Sequence, residues 1–331
     1  MLSQYILVEM LIHINEGVAC GHKKMGEWRF LGVRAQTDDD LWLANLWVCI
    51  AHFSAALFVI IDQSDVTVPV TTSYVAWKEI NDPGRHGESC RQGNCYLAVE
   101  HAVLNVLPDI SLAWLLTTSH VLSLAWQFTV LFEGPVQRYY HIQRKLGRNP
   151  LRWIEYSLSA PLMIVVIAAI LGQADVCTLA LLGICTSALM AFGYLTEVHY
   201  RMRPISVPHV CGWIMFSLLW GVITFAFILG LERATTPPPP PVLAVIYPTY
   251  FIMLTFFSSF GVVQAAHLNT DMSSGKNVLI KDKGEHDPLK YNAVEMWYLI
   301  LSLSSKIALS VILYFLVRTR HRLLNVEFRS V

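Results

Sequence analysis

A bundle of seven membrane-spanning helices, with a small β element in the loop between the first two, is the fold class this sequence predicts: an all-α membrane protein. Three observations predict it. The 331 residues are 54% hydrophobic and only 15% charged, where a soluble globular chain carries roughly a quarter charged residues. The charges are confined to short stretches between long apolar runs. Seven of those runs reach the ~20 mostly apolar residues that a ~30 Å hydrocarbon core demands of a helix. They are 41–61, 110–132, 150–171, 175–197, 209–231, 242–266 and 293–317.

Ahead of the spans lie residues 1–40, an N-terminal segment. Within it Leu2–Ile14 is apolar but too short to cross, and it lacks the basic flank of a secretory signal. It reads either as an interfacial helix or as sequence preceding a functional start at Met25. Residues 62–106, after the first span, are too polar to cross. Their stretch Val66-Thr67-Val68-Pro69-Val70-Thr71-Thr72 alternates as a strand does, which predicts a small sheet outside the membrane. The same loop holds Cys90 and Cys95, able to form a disulfide if it faces an oxidising side. Spans three and four are separated only by Gly172–Asp175 and must form an antiparallel hairpin. Five prolines at 237–241 break any helix between spans five and six and favour an extended spacer. The seventh span closes the bundle at 318, leaving 319–331 as a tail.

Lys and Arg next to the spans mark the cytoplasmic side. Of the 24 basic residues, 15 fall on the side of the N-terminus, 8 on the other, and Lys306 between them. The asymmetry puts the N-terminus in the cytoplasm and the C-terminus outside, against the dissent of the basic tail. A net charge of zero gives no case for nucleic acid or an acidic substrate. The sequence carries no catalytic triad, phosphate loop or metal-ligand spacing, so neither an enzyme nor a metal centre is expected. Membrane lipid is the partner the composition implies.

Lys306 lies in Met296–Val317, a run with no other charge. A lysine at that depth costs at least ~2.5 kcal/mol and needs a partner or a chemical reason. It stands nine residues beyond Trp297 and twelve before Arg318. At ~1.5 Å per residue, that is roughly 13 and 18 Å from the two interfaces, too far to snorkel easily. A desolvated lysine readily sheds its proton and becomes a nucleophile towards an aldehyde. The resulting imine, once protonated, is again a cation and requires a carboxylate in the same dry space. Glu155, inside the third span, is the best-placed acid, though it sits about one helical turn shallower than Lys306. Helix tilt or an earlier helix start would close that gap. Glu133, Glu197 and Glu295 lie at span ends, where a solvated helix-end charge is the plain reading. The plain reading of Lys306 is a structural lysine in a transporter-like bundle, with Glu155 an interfacial carboxylate near Arg152.

Residues 152–160, R-W-I-E-Y-S-L-S-A, and 301–309, L-S-L-S-S-K-I-A-L, resemble heliorhodopsin motifs in the third and seventh helices. Asn45 and His52 (N-x6-H) and F-G-Y-L-x-E at 192–197 resemble the same family, which tends to have Trp in place of Tyr194. The resemblance covers 41–318. It implies a rhodopsin-like retinal-binding bundle of inverted topology, in agreement with the charge count. It also implies all-trans retinal on Lys306 as a protonated Schiff base, Glu155 as its counterion, and a homodimer. Ser305 would hydrogen-bond near the Schiff base. Tyr156 and Met163 would contact the polyene, Phe256 and Phe257 would form an aromatic stretch, and Gln264 would be a polar pocket residue. For each of these, packing in the helix core is the plain alternative. His52 and Asn45 would belong to a polar, water-containing network on the cytoplasmic side of the Schiff base. Gln127 stands where the family has a second histidine, and an amide cannot accept a proton, so a two-histidine proton acceptor is not expected. His120, seven residues earlier on the same face but nearer the outer side, could compensate.

The function implied is light sensing with a slow photocycle and an unidentified signalling partner. A light-driven or light-gated proton transporter is the second reading. Span three offers no further acid between Glu155 and Asp175, which argues against an efficient outward pump. A retinal-free transporter or receptor is the third.

Overall fold

Eight helices and two small antiparallel sheets order the chain in a computed structural model that describes residues 29–30, 33–34, 37–63, 66–81, 95–199, 207–232, 240–273 and 288–327. Leu2–Ile14, Met25 and Cys90 lie outside the described residues, and with them the interfacial helix, the alternative start and the proposed disulfide. Two short strands, Arg29–Phe30 (β1) and Val33–Arg34 (β2), pair ahead of the first helix. That helix, α1 (Asp38–Gln63), begins with a capping box. Thr37 Oγ1 accepts from Asp40 N at 3.2 Å, and Asp40 Oδ2 accepts from Thr37 N at 3.0 Å, satisfying two donors a helix start would otherwise leave bare.

The alternating stretch after α1 is a strand, and it is longer than the sequence suggested. Thr67–Asn81 (β3) pairs antiparallel with Cys95–Ser111 (β4) in a two-stranded ribbon. Thr71 N donates to Ala174 O at 2.9 Å, fastening the ribbon to the turn between the third and fourth spans.

Among the described residues, six helices are long and apolar enough to cross a membrane: α1, α4 (Pro150–Ile170), α5 (Val176–His199), α6 (Val207–Glu232), α7 (Pro240–Ser273) and α8 (Pro288–Glu327). The remaining expected span, α2 (Leu112–Leu131), qualifies only together with α3 (Pro135–Lys145), from which it is bent by 87°. The reason is local: α2 buries Ser119, His120, Ser123 and Gln127, and those polar groups, inward-facing at the site, lower its apolarity. α3 itself was not foreseen. Its basic sequence lies in what the charge count treats as a loop, yet Tyr140, Gln143 and Arg144 are buried. α8 runs on past the span, which ends at Thr319, through Arg320 to Glu327.

The turn joining α4 to α5 follows from its sequence. Gly172 adopts φ +97°, a left-handed conformation that ends helices readily only with glycine. Gln173 N then bonds Ala168 O at 2.9 Å. Within α4, Pro161 has no N–H for the carbonyl of Ser157. Ser187 Oγ on α5 donates to that carbonyl instead, at 2.8 Å. The core between the helices is apolar, with Ile164, Ile167, Ile223, Met253, Leu309 and Leu313 all fully buried. Trp47, Ile61, Ile184 and Phe225 point outward and are exposed, as lipid-facing side chains are. The protein is an integral, multi-pass membrane protein.

Candidate functional site

Lys306 is 2% exposed in the middle of α8. Helical side chains lean toward the helix N-terminus, so its amine reaches back one turn. Nζ donates to Ser302 Oγ at 3.0 Å and to Glu155 Oε1 at 3.5 Å. That reach closes the one-turn difference in depth read from the sequence, with α4 starting at Pro150 as expected. Glu155 is 3% exposed. Its Oε1 also accepts from Ser123 Oγ at 2.5 Å and from Ser159 Oγ at 2.8 Å. The Tyr156 ring lies 5.7 Å from Nζ, and its hydroxyl donates to Tyr298 O at 3.0 Å. A buried ion pair survives in low dielectric when each member has further hydrogen bonds, and this one has them on both sides.

Ser305 is not the hydroxyl beside the amine. It lines the cavity described below, but it donates to the Ser302 carbonyl at 3.1 Å. One residue away on a helix is about 100° around the axis; four residues away is the same face. Ser302, four before Lys306, is therefore the serine that meets the amine. The same spacing puts Ser159 over Glu155.

From Lys306 a cavity extends among α4, α5, α6, α7 and α8. Tyr156 and Ser302 border it near the amine, and Met163, Met190, Phe216 and Phe257 contribute apolar wall. Tyr156, Met163, Phe257 and Gln264 all line this cavity. Phe256 does not line the cavity; it packs against the buried cluster that includes Trp153, Tyr156 and Tyr298. Gln264 closes a polar chain: Trp213 Nε1 donates to His209 Nε2 at 3.0 Å, His209 Nδ1 meets Gln264 Oε1 at 3.3 Å, and Gln264 Nε2 donates to Gly193 O at 2.7 Å. Two glycines hold indoles flat against backbone. A Cβ on Gly261 would lie 2.7 Å from Trp213 Cζ2, and one on Gly193 would collide with the Trp153 ring.

The polar network expected around His52 divides in two. Asn45, which donates to Leu41 O at 2.7 Å, borders a small cavity with Gln127, Asn149, Arg152, Glu155 and Glu295. His52 is not part of it. On the other side of Lys306, towards the β3–β4 ribbon, His52 Nδ1 lies 3.0 Å from His120 Nδ1. His120 Nε2 is 3.0 Å from Ser310 Oγ, which donates to Lys306 O at 3.0 Å. Since the Ser310 proton is committed, His120 Nε2–H donates to Ser310, and His52 Nδ1–H donates to His120. His52 Nε2 is left as a bare, buried acceptor. The companion of His52 is therefore His120 rather than the group at 127.

A second buried charge cluster was missed. Arg152, 5% exposed, is paired with both Glu197 and Glu295. Asn149, the N-cap of α4, supplies its backbone N–H to Glu197 at 3.1 Å and its amide to Glu295 at 3.2 Å. Glu197 and Glu295 are 6% and 2% exposed, which overturns their reading as solvated helix-end charges. Glu133 is exposed, as expected. Ser302 and Ser159 were findable from their spacing, whereas Ser123 and the Arg152 cluster meet only through tertiary packing.

The family model described as heliorhodopsin matches residues 41–317. No curated protein matches the chain. Among solved structures it is similar to the transmembrane domain and linker region of Salpingoeca rosetta rhodopsin phosphodiesterase, with a TM-score of 0.53, 10% identity, and coverage of 99% of this chain and 95% of that one. The crystal structure of the transmembrane domain of the same protein aligns with a TM-score of 0.49 and 10% identity, over 94% and 95% of the two chains. At that identity the likeness to the first is one of fold, a rhodopsin-type transmembrane bundle.

Proposed function

The chain belongs to the heliorhodopsin family, and from that premise we propose that it is a retinal photoreceptor in which Lys306 carries the chromophore and Glu155 is the counterion. The observation that carries the reading is the buried Lys306–Glu155 pair opening onto an apolar, aromatic-walled cavity. The residues present fit an elongated apolar aldehyde: one amine to link it, one carboxylate to balance the cation, and Tyr156, Met163, Phe216 and Phe257 to flank a hydrocarbon chain. Bound retinal, expected as the all-trans isomer, would supply visible absorption and a double bond that isomerises in light.

The protein's own groups do the rest. Glu155 holds the positive charge at position 306 in its protonated form. Ser123 and Ser159 fix the carboxylate through its Oε1, and Ser302 gives the nitrogen a second acceptor. The basic-residue asymmetry supports a cytoplasmic N-terminus, with 41–318 as the retinal-binding bundle. A slow photocycle, an unidentified signalling partner and a homodimer belong to the same proposal. Proton transport is a second reading, favoured by the small polar cavity that borders both Glu155 and Glu295. Photocurrent in voltage-clamped cells that vanishes in Glu155→Gln would support that reading over sensing alone. The retinal assignment is tested by adding all-trans retinal to purified protein. A visible band is expected in the wild type and none in Lys306→Ala; visible absorption surviving in that variant refutes the linkage.

A further inference from the structure

We infer that the buried Glu197–Glu295 pair holds one proton in the resting protein, borne by Glu295 and exchangeable with Glu155 through the polar cavity between them. Charge balance is the first support. Arg152 is paired with both carboxylates, so full ionisation leaves one uncompensated negative charge among side chains at most 6% exposed. An unmatched buried charge is resolved most cheaply by taking up a proton. Among the described residues, Arg144, the other buried arginine beside Tyr140, is paired with Asp38. Tyr291 and Tyr298 of α8 and Tyr140 of α3 are neutral phenols, and Lys306 is matched by Glu155. From α7, His267 lies against the Tyr291 ring at 5.6 Å, and its charge state is what the test below decides.

Donor supply separates the two acids. Glu197 accepts from Arg152, from Tyr291 Oη at 3.4 Å and from Asn149 N at 3.1 Å. Glu295 accepts from Arg152 and the Asn149 amide. The better-served carboxylate stays ionised. Glu295 also borders the cavity and Glu197 does not, so a Glu295 hydroxyl has somewhere to point. Connection is the third support: Asn45, Gln127 and Asn149 border the same cavity as Glu155 and Glu295. Amides hydrogen-bond water as donor or acceptor, which suits them to a proton route. A proton leaving Glu295 ionises that acid and neutralises Glu155, so the number of buried charges is conserved.

The light-dependent part rests on the proposed role of Glu155 as counterion; the resting proton does not. Infrared spectroscopy of the full chain in lipid, without retinal and at neutral pH, reads the resting proton directly. We expect one carbonyl stretch of a protonated carboxylic acid, displaced by carbon-13 glutamate. It should be lost in Glu295→Gln and in Glu197→Gln, because Arg152 then balances the single remaining carboxylate. It should be kept in Glu155→Gln. Absence of the band in the wild type, as a charged His267 would cause, overturns the inference; so does a band lost only in Glu155→Gln. Should one variant fail to fold, the labelled wild type and the other variant decide. With retinal added, illumination should shift the band. A colourless protein that keeps the dark band refutes the retinal reading and leaves the proton assignment standing.

Discussion

Shortening or neutralising the acid at 155 should change colour in a graded way, and the structure fixes the order. Glu155 Oε1 lies 3.5 Å from Lys306 Nζ. At an effective dielectric constant of about 20, unit charges at that distance attract by about 5 kcal/mol. Glu155→Asp withdraws the carboxylate by one methylene, to roughly 5 Å, where the attraction falls to about 3 kcal/mol. Glu155→Gln removes it. With retinal linked to Lys306 as proposed, the ground-state positive charge sits at the nitrogen beside the acid, and excitation draws it along the polyene. The carboxylate therefore stabilises the ground state more than the excited state, and weakening it narrows the gap. Absorption spectra of the purified pigments should move to the red in the order wild type, Glu155→Asp, Glu155→Gln. A Gln variant with the wild-type maximum would place the counterion elsewhere, and an Asp variant further red than Gln would break the distance argument.

Other outcomes follow from neighbouring contacts. Ser302→Ala removes one acceptor worth about 1 kcal/mol, so its spectral shift should be clearly smaller than that of Glu155→Gln; an equal shift in the two variants would contradict the geometry. Gly261→Ala places a methyl group against the Trp213 ring, where overpacking costs about 1–3 kcal/mol. Trp213 borders the cavity, so retinal uptake, followed as growth of the visible band, should slow or stop; unchanged uptake would show that the indole yields without narrowing the site. Arg144 bonds Asn292 Oδ1 at 2.7 Å and Asp38 Oδ1 at 3.1 Å. Asp38 is largely exposed, so its share is screened. Arg144→Gln should lower stability by about 2 kcal/mol, chiefly through the buried contact to Asn292. Thermal denaturation in detergent measures this, and an unchanged midpoint would mean that α3 is held by apolar packing alone.

The bundle was largely legible because a membrane imposes its own length rule on the chain: the first five apolar runs are helices within three residues of their expected ends, while α7 and α8 run on well past theirs. Lys306 and Glu155 stood out for the same reason, since a charge inside such a run needs an explanation. What escaped was of two kinds. Ser302 is a matter of helical phase, which the spacing from Lys306 contains and which sequence adjacency to Ser305 obscured. Glu197, Glu295 and Arg152 sit near span ends, where the sequence cannot tell a solvated charge from one folded inward. Their burial depends on Asn149 capping α4 and on α5 and α8 converging there. The pairing of His52 with His120 likewise depends on how α1 meets α2. α2 does not qualify as a span by itself, and it turns Ser119, His120, Ser123 and Gln127 to the interior.

α8 extends for 40 residues, and between Leu289 and Glu327 it contains neither proline nor glycine. At ~1.5 Å per residue it is roughly 60 Å long, about twice the ~30 Å of hydrocarbon it crosses. Sharp kinks in helices arise almost always at such residues or at inserted groups, so this one behaves as a single rod. If a chromophore is attached at Lys306 as proposed, a small twist imposed there would emerge beyond the lipid at either tip, with no proline or glycine along the way to absorb it.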